Sequence, residues 1–246
     1  MAKMQRNKFI CPFTAGKLPR WKCPNCENPS LIYLEVESLE STNSISFRKE
    51  LYKRHSSEWY PDMIRWYGTF IGVLKCKICL GQVAISGYKK IDWDYEKYSP
   101  IETLTPTYFN PPIHIFDING EVPNSVRTEI VNAFKLYWLD QDACANKIRR
   151  VVEAIMDDKV VIEKHRLDQR IKEFEKTNSE KIANLEKIVK YLHANRVIGN
   201  DGSHHGKPLT KEIVLDGFEL LMSVINDLYG KDNLEQIAER YYSQKA

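Results

Sequence analysis

From residue 123 onward, apolar side chains recur at intervals of three and four, the period of a helix with one buried face. Val126, Ile130, Phe134 and Tyr137 share such a face behind Asn124 or Ser125, either of which is suited to cap the first turn. A second helix from about Asp142 turns Ile148, Val152, Ile155 and Met156 inward, and Leu167, Ile171 and Phe174 mark a third. Ser179 is placed to cap a fourth carrying Ile182, Leu185, Ile188, Val189 and Leu192. Thr210 opens a fifth whose stripe, Val214, Phe218, Leu221, Ile225 and Leu228, stops at Gly230, and Asn233 to Tyr242 reads as a short terminal helix.

Before residue 92 the pattern is different. Leu31 to Val36, Thr69 to Lys75 and Gln82 to Tyr88 are β-rich runs, Phe9 to Arg20 reads as an irregular lead-in, and Phe47 to Trp66 as a short helix and loop. Between the two halves, Asp92 to Phe116 holds four prolines and five tyrosines or phenylalanines, a density that disfavours helix and central strand. The expectation is an α+β chain in three parts: a β domain over residues 1–91, a proline-rich extended connector over 92–122 and a helical bundle over 123–246.

Composition adds little to this picture but excludes several classes. At 246 residues, 43% hydrophobic and 28% charged, the chain is neither disordered nor fibrous. Its longest apolar runs, such as Phe70 to Leu74, fall far short of the roughly 20 residues of a membrane helix. The basic start, Met1 to Lys8, is not followed by an apolar signal core, so the expected location is cytoplasmic. A net charge of +3 does not argue for nucleic acid by itself, yet the excess is local: residues 1–112 carry 16 Lys+Arg against 11 Asp+Glu, and residues 113–246 carry 20 against 22.

The first candidate chemistry is a pair of CxxC motifs, Cys23-Pro24-Asn25-Cys26 and Cys76-Lys77-Ile78-Cys79. Each turn aims two thiolates at one point, and two turns complete a tetrahedral shell for Zn2+, whose binding energy replaces the core a small sheet lacks. Four thiolates leave no open coordination position, so such a zinc is structural, and with the β-rich runs around the motifs the expectation for residues 1–91 is a four-cysteine zinc-ribbon-like domain. Duplication of the motif argues against a redox CxxC, and a chain without a signal segment argues against a disulfide framework. Cys11 and Cys144 are left as free thiols. Arg20, Trp21, Lys22, Lys75 and Lys77 flank the motifs, where they form either a solvated basic rim or a surface that meets phosphates and stacks on bases.

The second candidate is the stretch from His193 to Gly206, with three glycines, Arg196, Asn200 and His204. Glycines at 199, 202 and 206 predict a broken helix, with Gly202 in a left-handed turn that folds His204 back toward Arg196. A purely structural role is the alternative: Asn200 caps a helix end, Arg196 pairs with Glu153, and His204 bonds a backbone carbonyl. Arg149 and Glu153 form an i,i+4 pair in either case. His55, His114, His165 and His193 have no partners at catalytic or ligand spacing.

Taken together, Trp21 to Cys26, Tyr108-Phe109-Asn110-Pro111-Pro112, the run Ala143 to Glu153 containing Arg149-Arg150-Val151-Val152-Glu153, and Arg196 to Asn200 followed by Ser203-His204 resemble a family of bacterial proteins called domain of unknown function 4145. That family looks like a distant relative of the HEPN superfamily, many of whose members are metal-independent ribonucleases, and it is often found near restriction and phage-defence genes. The resemblance implies a HEPN-like bundle, a homodimer, and a nucleic-acid-associated defence role, RNA-binding or RNA-cleaving. Arg196 and His204 are the implied catalytic pair, supported by Asn200, Glu153 and Arg149. In that mechanism neutral His204 takes the proton of a 2′-hydroxyl while Arg196 stabilises phosphate charge. Here Val197 stands where active members have a polar residue, and seven residues separate Arg196 from His204. The second functional expectation is a non-catalytic dimeric scaffold or sensor that holds a defence partner protein.

Overall fold

A computed structural model describes residues 4–14, 17–37, 66–94, 99–161, 166–182, 184–202 and 208–230. The segments expected at Phe47 to Trp66 and Asn233 to Tyr242 fall outside these residues, apart from Trp66, and so do His55, His165 and the stretch from Ser203 to Lys207 with His204. The chain divides into two compact units, Met1–Ile115 with Phe134–Asp140, and Phe116–Ala133 with Gln141–Ala246. No described helix is long and apolar enough to cross a membrane.

The first unit holds a single helical turn, α1 (Asn7–Ile10), and strands β1 (Phe13–Thr14), β2 (Leu31–Glu37), β3 (Trp66–Cys76), β4 (Gln82–Asp94) and β5 (Ser99–Asn110). They form one antiparallel sheet in the order β1-β5-β4-β3-β2. Alternation puts Phe70, Leu74, Val83, Ile85, Leu104 and Phe109 on one face, all buried. Each full burial of this kind contributes about 1.5–3 kcal/mol. Against that face stand Phe9, Phe13, Trp21, Tyr137 and Trp138, whose rings meet edge-on or tilted at centroid distances of 4.7–6.5 Å.

Within the expected extended connector, residues 99–110 form a sheet strand. Prolines are tolerated there because β1 covers β5 only at Thr103 and Leu104, which leaves most of its outer side an edge among the described residues. Pro106 also sits where the β4–β5 register shifts, opposite Gly87. A Cβ on Gly87 would collide with the Thr105 carbonyl and lie 2.8 Å from Pro106 Cα, so the missing side chain makes room for the proline.

The helices are α2 (Asn124–Tyr137), α3 (Gln141–Asp158), α4 (Leu167–Asn178), α5 (Leu185–Asp201) and α6 (Lys211–Tyr229). All four face residues expected for α2, and Ile148, Val152, Ile155 and Met156 of α3, are completely buried. Of the α6 stripe, Val214, Phe218, Leu221 and Ile225 are buried and Leu228 is half-buried, and α6 packs on α5 and α3. Thr210 caps α6 as expected, its hydroxyl accepting from the Ile213 N–H at 3.5 Å.

Two expectations fail in α5. Its N-cap is Asn184, in a left-handed conformation, while Ser179 closes α4. The helix also runs unbroken through Gly199 to Asp201, and Gly202 adopts right-handed geometry (φ −65°) rather than a left-handed turn. The reason is proximity to α3. A Cβ on Gly199 would collide with the Arg149 Cβ and stand 2.9 Å from the Ala145 carbonyl, and one on Gly202 would stand 2.5 Å from the Asp142 carbonyl. Glycine costs a helix about 1 kcal/mol relative to alanine, and close packing of two helices outweighs it.

Candidate functional site

The two CxxC turns sit where β2 and β3 meet, since Leu31 pairs with Cys76 and brings the chain leaving the first turn beside the start of the second. Each turn closes the same way. The Cys23 carbonyl accepts from the Glu27 N–H at 2.7 Å, and the Cys76 carbonyl from the Leu80 N–H at 3.1 Å. Glu27 (φ 59°) and Leu80 (φ 62°) then reverse the chain in the left-handed region. Gly81 lets the turns abut, because a Cβ there would collide with the Asn25 side chain.

The four sulfurs of Cys23, Cys26, Cys76 and Cys79 all lie within 4.8 Å of one another. Across the turns, Cys23 and Cys79 are 3.6 Å apart and Cys26 and Cys76 3.5 Å, far beyond a disulfide bond of about 2.05 Å. A tetrahedral ion with metal–sulfur bonds of about 2.3 Å requires sulfur separations of about 3.8 Å, so this donor set fits one. The turns also supply donors to the sulfur: the Asn25 N–H points at Cys23, and the Ile78 and Cys79 N–H groups at Cys76, each at 3.4 Å. The Ser30 hydroxyl lies 2.9 Å from Cys76 Sγ. Ser30, with help from those N–H groups, draws the Cys76 thiol down to about 6, while burial pushes the Cys23 thiol up to about 12. A cation among the four sulfurs would reverse the second effect, since a ligated thiol is deprotonated outright.

Of the expected basic rim, Arg20 and Lys77 are exposed and Lys22 and Lys75 half-buried. Trp21 is 1% exposed and cannot stack on a base: its ring packs between Phe13, Phe109 and Trp138, and its Nε1 donates to the Lys8 carbonyl at 2.8 Å. The apolar groups exposed beside the cysteines are instead Ile78 and Leu80. Neither these nor Ser30 carries a motif; equal exposure of the second turn with a different residue class from the first is the signal that could have marked them.

In the helical unit, Arg149 and Glu153 form their i,i+4 pair at 3.4 Å, and Glu153 also takes Arg150 at 2.9 Å. Arg196 lies half-buried on α5, and among the described residues its charge bears on Asp168 of α4 and on His193, one turn earlier on α5. Burial first, then Arg196 and Lys172, holds His193 below its ordinary range against the opposing pull of Glu175 and Asp168. At the end of α5 the Asn200 carbonyl shares the Gly202 N–H with that of Ile198. Asn195, which sequence reasoning passed over, is fully buried with neither amide atom hydrogen-bonded among the described residues, its Oδ1 3.2 Å from the position a Cβ would take on Gly217.

No curated protein and no solved structure matches the chain. Residues 11–111 match the family model Domain of unknown function (DUF8608), a span that takes in all four cysteines and the whole of β5. Residues 131–245 match the model Domain of unknown function (DUF4145). The second match takes in the runs Ala143 to Glu153 and Arg196 to His204 that carried the resemblance to that family, whereas Trp21 to Cys26 and Tyr108 to Pro111 fall within the span matched by the other model.

Proposed function

We propose that the protein is a nucleic-acid-associated defence factor in which a structural Zn2+, held by Cys23, Cys26, Cys76 and Cys79, fixes a surface for RNA, and in which a HEPN-like helical unit forms a homodimer. The observation that carries the nucleic-acid reading is the charge around the cysteine turns. Arg20, Lys22, Lys75 and Lys77 flank or lie within them in sequence, Glu27 is the only acid within the turns, and the cationic excess of the chain falls in this half. Such a patch neutralises phosphates and gains affinity from released counterions. With all four ligand positions taken by sulfur, zinc here would organise the backbone and leave catalysis to other groups.

Cleavage, if it belongs to this chain, falls to Arg196 and His204 without metal. The deciding experiment incubates metal-loaded protein with mixed RNA and compares binding and cleavage for the parent and His204→Ala. Binding that weakens steeply with salt, together with cleavage that His204→Ala abolishes, supports the ribonuclease form. Binding without cleavage supports RNA association alone. Neither would leave the scaffold or sensor reading, which one observation already favours: the helix continues through Gly199, so Arg196 is held on a rigid face beside α4 rather than on a mobile turn.

A further inference from the structure

The two cysteine turns share a backbone but not a surface. At matching positions the first has Asn25 and Glu27, both polar and exposed, and the second has Ile78 and Leu80, each 62% exposed. The first turn therefore shows that the knuckle itself does not require an apolar residue at either place. Leu80 occupies the left-handed region, as Glu27 does in the first turn, so that conformation belongs to the knuckle, at roughly 1–2 kcal/mol for a residue with a Cβ, and what sets Leu80 apart is its exposed apolar side chain. The turn needs the backbone conformation but not the leucine, whose side chain is 62% exposed and so buries little on folding.

We infer that Lys77-Ile78-Cys79-Leu80 is a contact tip for single-stranded nucleic acid, with Ile78 and Leu80 set against unstacked base faces and Lys77, Lys75, Lys22 and Arg20 placed to meet the flanking phosphates. This inference rests on the nucleic-acid reading above and supplies the surface that Trp21 cannot. Apolar aliphatic side chains are used in this way where bases are unstacked, and single strands present such faces while a duplex hides them. The tip is fixed before binding: the Ile78 N–H is tied to Cys76 Sγ, the Leu80 N–H to the Cys76 carbonyl, and the Gly81 carbonyl to the Cys76 N–H at 2.9 Å. Little ordering cost then remains to be met on association. Charge favours nucleic acid over an apolar protein groove, since Lys75 and Lys77 flank or lie in the tip, Arg20 and Lys22 flank the adjoining first turn in sequence, and Glu27 is the acid within the two turns.

The test measures fluorescence anisotropy of a short uridine oligonucleotide, and of a duplex of equal length, with the full metal-loaded chain. The parent should prefer the single strand. Ile78→Ser with Leu80→Gly should weaken that binding about tenfold or more, while metal content is kept and the thermal midpoint holds or rises, because glycine relieves the strained backbone. Lys75→Ala with Lys77→Ala should reduce the slope of log affinity against log salt by about 1.4, two phosphates at about 0.7 each. If the parent binds the oligonucleotide and the tip variant binds it equally well, the tip is overturned and the nucleic-acid reading stands on another surface. Absence of binding to any nucleic acid sinks both. Preference for duplex, or tip-dependent binding to anionic phosphatidylserine vesicles without oligonucleotide binding, also overturns the tip.

Discussion

The hydroxyl of Ser30 lies 2.9 Å from the sulfur of Cys76, across 46 residues of sequence. It adds a side-chain donor to a thiolate that already receives two backbone N–H groups, and such outer-sphere partners typically govern metal affinity by 10–100-fold, to order of magnitude. Ser30→Ala should therefore release metal to a chromophoric chelator at about 10–100-fold lower chelator concentration, with Ser30→Thr restoring most of the loss. Equal retention by Ser30→Ala and the parent would show that the hydroxyl is a bystander.

Chelation should act on one unit of the protein. The cysteine cluster joins the ends of β2 and β3, so metal removal should increase amide exchange across Lys17–Glu37 and Trp66–Asp94 and leave α3, α5 and α6 protected. Elemental analysis that finds no stoichiometric zinc in purified protein would remove the premise.

Phe218 is completely buried on α6 and lies 6.3 Å, ring to ring, from Phe116. Phe218→Ala should cost about 3–5 kcal/mol, read as a lowered denaturation midpoint at unchanged slope. A midpoint equal to that of the parent would mean this face is not core.

His193 should titrate below its ordinary value of 6.5, burial being the first cause and Arg196 the second. A histidine whose folded pKa is depressed contributes stability that is present above the unfolded value and lost as pH falls through the folded one. Arg196→Ala should raise the His193 midpoint in a proton NMR titration and, by bringing the folded value closer to the unfolded one, make this acid loss of stability smaller. An unmoved midpoint would mean that Arg196 and His193 do not share a field.

The helical half was readable because its faces repeat: Val126, Ile130, Phe134 and Tyr137 need only periodicity to be placed inside. The cysteine turns were readable because spacing alone brings two thiols together. What could not be read depended on neighbours distant in sequence. Pro106 looked like a strand breaker until Gly87 and a short β1 made it tolerable. Trp21 looked like part of a basic rim because Arg20 and Lys22 flank it, yet its environment is set by Phe109 and Trp138. Gly199 looked like a helix breaker because propensity is local, whereas its reason lies on α3 at Ala145 and Arg149.

The glycine seam between α3 and α5 changes how mutagenesis of the His193–Gly206 stretch should be interpreted. An alanine scan treats alanine as the mildest replacement, but at Gly199 and Gly202 the added methyl is the damage, since the opposing backbone occupies its place. Both positions would score as essential in any activity screen and, lying three and six residues past Arg196, would outline a site there whether or not the stretch carries chemistry. Only a scan that records the folded fraction of each variant separates a lost reaction from a helix pushed off its neighbour.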